Sequence, residues 1–222
     1  MTFDEKIIQF YQKLKLPTHF YDNVEILNPY QNQETIAACK AFYNKFYHDQ
    51  KVRRIILGIN PGRFGAGITG IPFTDPVRLA TDCGISNTFD KKPELSSQFI
   101  YLLINSMGGP KIFYQHYYIG AVSPLGFVKN GKNFNYYDDK TFERKLKPFI
   151  VRTLIEQIAL GVSTDKCYCL GQGKNYEYLK LLNSELQIFG EIIPLPHPRW
   201  IMQYRRKQLE SHLQKISILL SV

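Results

Sequence analysis

LGINPGRFGAGITGIPFTDP, residues 57–76, follows the short run Arg54-Ile55-Ile56 and decides how the whole chain is read. An apolar strand runs into a turn built from Asn60, Pro61 and Gly62, and Gly65, Gly67, Gly70 and Pro72 follow. Glycine lets a backbone approach a ligand closely, and proline removes freedom. Concentrating both at the carboxyl end of a buried strand makes a rigid cradle, placed where α/β folds carry their sites. Asn60 sits at its apex and Phe73 near its far end.

Working outward, strands alternate with helices. Thr2 and Glu5 form a capping box that opens a first helix of about ten residues. A short strand-like VEIL (24–27), a helix over 33–48 and the strand 52–59 lead into the cradle. Asp75-Pro76 begins another helix, Asp75 as N-cap and Pro76 at the first helical position. A carboxylate there also invites a general-base role, but the cap fits the position better. A helix over 96–107 stops at Gly108-Gly109-Pro110, and 117–122 reads as a second core strand. Residues 129–139 are polar, rich in Gly and Asn, and read as a loop. A helix (142–160), a strand (166–170), a Gly-Gln-Gly turn, a helix (176–188) and a strand (191–195) follow. A basic helix from about Met202 closes the chain. This alternation predicts one domain over residues 1–222, a three-layer α/β fold with a central, mainly parallel four-stranded sheet flanked by helices.

Composition narrows the partners. The 222 residues suffice for a full core. A formal charge of +9 makes a polyanion plausible, though many basic proteins bind no nucleic acid. No apolar run reaches the ~18 residues of a membrane helix. The first residues, MTFDEKIIQF, do not read as a signal peptide, so a cytoplasmic, monomeric protein is expected, nucleoid-associated in a bacterium. Cys39, Cys83, Cys167 and Cys169 read as reduced thiols, the last two on one face of a strand. His19, His48, His116 and His212 show no ligand spacing, so no metal and no cofactor are expected. The P-loop spacing is absent, against an NTPase.

Three strand ends carry suspicious residues: Asn60, the run Ser123-Pro124-Leu125, and His197 between Pro196 and Pro198. LGINPGRFGAGITGIPF together with LPHPRW resembles the uracil-DNA glycosylase superfamily, and within it the single-strand-selective monofunctional (SMUG) branch, as a bacterial member. The similarity extends to Asn28-Pro29, to KIFYQHYYIGAVSPLGF and to the Gly-Gln-Gly turn. The resemblance implies a monofunctional hydrolase of base excision repair that flips uracil or a modified uracil out of single- or double-stranded DNA and cleaves its N-glycosidic bond. Asn60 matches the residue that positions the attacking water, and His197 the donor to O2 of the leaving base. Phe73 matches the ring on which the base stacks. Ile59, Gly62 and Phe64 are candidate backbone contacts to the base. No lysine nucleophile lies in the matching motifs.

Two departures stand out. The family's base-reading Asn aligns with Ala121, so the base edge must be read from elsewhere, with Ser123 as a candidate; the loop Gln of the family aligns with Ile68. The second departure is in the histidine loop. His197-Pro198-Arg199-Trp200-Ile201 lacks the family's Ser, yet Arg199, Trp200 and Ile201 offer a cation and apolar bulk for a wedge in the duplex. Trp200 reads equally as an anchor for the last helix. Arg205, Arg206 and Lys207, and more weakly Arg63, Lys129 and Lys132, are candidate phosphate contacts. The alternative at this level is a weak or inactive DNA-binding module on a glycosylase scaffold, with Ala121 as its mark.

Overall fold

The computed structural model describes residues 1–221. Four parallel strands form the central sheet: β2 (Arg53–Gly58), β3 (Tyr117–Ala121), β6 (Val162–Leu170) and β7 (Glu191–Leu195), in the order β3-β2-β6-β7. This is the predicted sheet. Ile55, Leu57, Tyr118, Cys167 and Cys169 within it are fully buried, which explains the near-continuous apolar runs. The cysteines are all free and buried. Helices flank the sheet: α1 (Phe3–Lys13), α2 (Gln33–Tyr47), α5 (Leu95–Ser106), α7 (Lys140–Ile158) and α8 (Lys174–Leu186) lie close to their expected bounds. At the start of α1, the Thr2 N–H donates to the Glu5 carboxylate at 2.9 Å, the return bond of the expected capping box.

Three elements differ from expectation. A hairpin of β4 (Gly126–Lys129) and β5 (Lys132–Phe134), whose turn and second strand fall in the stretch read as a loop, pairs with β1 (Glu25–Leu27) in a small antiparallel sheet ordered β1-β4-β5. Its turn is Asn130-Gly131, with φ of 51° and 69°. Positive φ at both central residues is the hairpin turn that Asn-Gly favours, and that dipeptide was the legible signal. A helix α6 (Pro110–His116) follows directly on the Gly-Gly stop, with Pro110 at its first turn. The basic C-terminal helix is in fact two, α9 (Pro198–Tyr204) and α10 (Leu209–Ser221), joined by a 3₁₀ turn. Two short helices, α3 (Ala66–Thr69) and α4 (Pro76–Thr81), lie within and after the glycine-rich loop. No described helix is long and apolar enough to cross a membrane.

Candidate active site

The carboxyl ends of β2, β3 and β7 meet at one cavity of about 400 Å³. Past the strands the β2–β3 pairing continues: Val122 N–H donates to Gly58 O and Ser123 N–H to Ile59 O, both at 3.0 Å. Ile59, Asn60, Gly62, Phe73, Ala121, His197, Arg199 and Trp200 all line the cavity. Loops far apart in the chain are thereby brought onto one space.

Asn60 is held by the hairpin that was missed. Its amide Nδ2 donates to Phe134 O (3.4 Å), and its Oδ1 accepts from Tyr136 N–H (3.3 Å). Because the partners are a backbone carbonyl and a backbone N–H, the orientation of the amide is set by chemistry. Oδ1 keeps a second lone pair, which can accept a hydrogen bond from a water entering the cavity. The hairpin also grips the following turn: Arg63 N–H donates to Asn133 Oδ1 at 3.1 Å, and the Arg63 guanidinium to Gly131 O.

His197 is the N-cap of α9, its Nδ1 accepting from Arg199 N–H at 3.2 Å. A nitrogen that accepts carries no proton, so the proton sits on Nε2. Burial, and after it the Arg199 guanidinium, holds the imidazole pKa down at about 4. At neutral pH the residue is therefore an uncharged donor with a fixed tautomer.

Phe73 has φ of 53°, a left-handed conformation costly for a bulky residue. Its ring lies directly over Gly58, where an added Cβ would sit 2.6 Å from Phe73 Cε2. The strand end is bare so that the Cε2–Cζ edge of the ring can approach it.

Other expected residues are placed differently. Ser123 is fully buried, and its hydroxyl donates to Leu125 O at 2.8 Å, so it is not free to read a base. Phe64 is exposed, outside the cavity lining, with the Arg63 guanidinium 4.7 Å and the Lys92 ammonium 5.9 Å from its ring. Ile201 is fully buried: Pro198, Ile201 and Met202 form the inward face of α9, and helical spacing leaves Arg199 and Trp200 on the outward one. It cannot serve as a wedge. Trp200 is 40% exposed at the cavity mouth rather than in the core, with the Arg205 guanidinium 4.9 Å from its ring, and it touches the last helix through an edge-on contact with His212 at 6.1 Å. Arg205, Arg206 and Lys207 are exposed beyond it. Asp75 is an N-cap, as its position before Pro76 suggested. It is fully buried, with Oδ1 on Arg78 N–H (2.7 Å) and Oδ2 on Glu94 N–H (2.8 Å). Sequence reasoning missed Glu94, Asn133, Asn135, Tyr137 and Gln203, which also line the cavity.

A family model described as the uracil DNA glycosylase superfamily matches residues 45–220. The crystal structure of wild-type Pedobacter heparinus SMUG2 is similar over 100% of this chain and 97% of that one, at 43% sequence identity and a TM-score of 0.96. No curated protein matches the chain. Asn60 and His197, which line one cavity, both fall within the span that the family model matches, and the protein belongs to the uracil DNA glycosylase superfamily.

Proposed function

We propose that the protein is a monofunctional DNA glycosylase that extrudes uracil or a modified uracil from DNA and hydrolyses its N-glycosidic bond. The observation that carries this reading is the pair Asn60 and His197, converging on one cavity with the histidine neutral and protonated on Nε2. Base loss proceeds through an oxocarbenium-like transition state, in which the bonding pair of C1′–N departs with the base and accumulates at its O2. An Nε2–H facing O2 of a base that has displaced water from the cavity stabilises that oxyanion without needing to transfer its proton. A water donating one hydrogen to Asn60 Oδ1 keeps a lone pair for C1′. The amide is a weak base, and that suffices when bond breaking runs ahead of attack; the water's proton leaves to solvent or to the departing base. Phe73 offers the stacking face, and Arg199, Trp200, Arg205, Arg206 and Lys207 form the DNA-facing rim. The duplex wedge falls to Trp200 and Arg199 alone.

The test is base release from single- and double-stranded oligonucleotides bearing uracil, hydroxymethyluracil, xanthine or hypoxanthine, with EDTA present. Asn60→Ala and His197→Ala should each slow release by roughly 10²–10³-fold, the scale of losing one preorganised transition-state contact. Near-wild-type rates in both would sink the mechanism. Ala121 supports a second reading, a DNA-binding module without turnover; tight binding with no alkali-labile site from any of these bases would favour it.

A further inference from the structure

The cavity contains one carboxyl group, and it lies in none of the motifs. Glu94 stands just before α5 and is the sole acidic residue among those lining the cavity. Its backbone is pinned by the bond from its N–H to Asp75 Oδ2. Its carboxyl lies flat against the glycine-rich loop: an added Cβ on Gly65 would sit 2.5 Å from Oε2, and one on Gly62 3.6 Å from Oε1. Gly65 is thus a bare position matched to this carboxyl.

Position 121 lines the same cavity and has no hydrogen-bonding side chain. A uracil-like base presents adjoining carbonyl and N–H groups on its edge, which an amide reads with one acceptor and one donor. A protonated carboxyl offers the same pair. The other candidates are mostly engaged: Asn60 by Phe134 and Tyr136, Asn133 Oδ1 by Arg63 N–H, and the Tyr30 hydroxyl by Gly70 O. Asn135 and Gln203, the latter exposed on α9, are the remaining amides on the cavity wall.

We propose that Glu94, as a neutral carboxylic acid, reads the hydrogen-bonding edge of the extruded base in place of the amide that position 121 lacks. The inference rests on the glycosylase reading above and names the specificity residue of that site. The charges around Glu94 agree with it. Burial raises its pKa and the Asp75 carboxylate on the α4 cap raises it further, while Arg199 from α9 and, after it, a hydrogen bond from the Ser96 side chain oppose them, leaving it at about 7. His197 is neutral throughout this range, the Arg63 guanidinium is turned onto Gly131 O, and Lys92 pairs with Asp90 at 2.7 Å. A base filling the cavity expels the remaining water and favours the protonated form more strongly.

The experiment is the pH profile of kcat/KM for release of uracil, from about pH 5.5 to about 9, for wild type, E94A, E94Q and N135A, with thermal melts to confirm folding. E94A should lose roughly 10–100-fold, the cost of one unmade hydrogen-bonding pair in a buried site. E94Q should recover most of that loss, because an amide reproduces the pair. Wild-type activity should fall as pH rises past about 7, and E94Q should be flat there. The inference is overturned if wild-type activity rises through that range with E94Q as defective as E94A, since Glu94 would then act as an anionic base. It is equally overturned if N135A loses activity while E94A does not. Release of uracil with a pH profile unaltered in E94Q overturns this inference alone; no release by wild type at any pH overturns the glycosylase reading with it.

Discussion

Gly58 shows how a single hydrogen atom shapes the site. It ends β2 and faces the edge of the ring of Phe73, whose backbone adopts φ of 53°. A methyl group at Gly58 would fall 2.6 Å from Cε2 and 2.8 Å from Cζ of that ring, so the ring must lift. Overpacking of this kind costs about 1–3 kcal/mol. Gly58→Ala should therefore lower both the melting temperature and the rate of base release, the rate by roughly 10-fold or more through loss of the stacking face. A single-turnover assay beside a thermal melt checks it, and an unchanged rate would show that Phe73 is not the stacking surface. His197 is the other residue-scale device. Its tautomer follows from one backbone N–H, that of Arg199, which its own helix supplies. Neither the ring over Gly58 nor the proton on Nε2 is visible in a motif, because each depends on where a neighbouring group ends up.

Among the elements, the caps and the hairpin do the positioning. Asp75 ties the first turn of α4 to the chain entering α5, with both oxygens on backbone N–H groups and its own N–H on Ser97 Oγ at 3.0 Å. Replacing it by alanine removes a helix cap and leaves a second N–H unpaired in the interior. Asp75→Ala should cost roughly 2–4 kcal/mol in urea unfolding; a loss under about 1 kcal/mol would mean that water replaces the carboxylate. The cap itself was legible, since Asp-Pro ahead of an apolar segment announces a helix start. Its second bond, to Glu94, was not, because it joins two elements. The β4–β5 hairpin is the reverse case. Its Asn-Gly turn stood in the sequence, but the surrounding Lys and Asn residues lacked the alternation that marks a strand. Those residues are polar because the turn and the start of β5 are exposed while β4 is buried, and Asn133 Oδ1, Phe134 O and the N–H of Tyr136 just beyond are turned to the Asn60 loop.

For the whole molecule, electrostatics decides association. A formal charge of +9 acts at long range, but only charges near the cavity mouth contribute to a register on DNA. Arg199, at the cavity, and the exposed Arg205, Arg206 and Lys207 are the candidates. If these four neutralise phosphates, log affinity for an oligonucleotide should fall against log salt with a slope of about −3 to −4. The combined Arg205→Ala, Arg206→Ala, Lys207→Ala variant should flatten it by roughly 2–3. Fluorescence anisotropy across a salt series measures both, and a slope unaltered by the triple change would place the interface elsewhere. Here too the basic run was readable, whereas its sidedness was not. Ile201 lies within that run and points inward, because α9 turns its Pro198–Ile201 face onto the core.

The sequence by itself determined the four parallel strands, the loops that leave them, and the places of Asn60 and His197 on those loops. These are local properties, written in apolar runs, glycine and proline spacing, and caps, and they survive reading one segment at a time. Only the tertiary structure decided that the hairpin holds Asn60, that Ser123 and Ile201 are buried, and that Glu94 lies against Gly65 at the cavity wall. Each of these depends on contacts between segments distant in the chain, and a side chain's exposure, partner and protonation are set by whatever those contacts bring beside it.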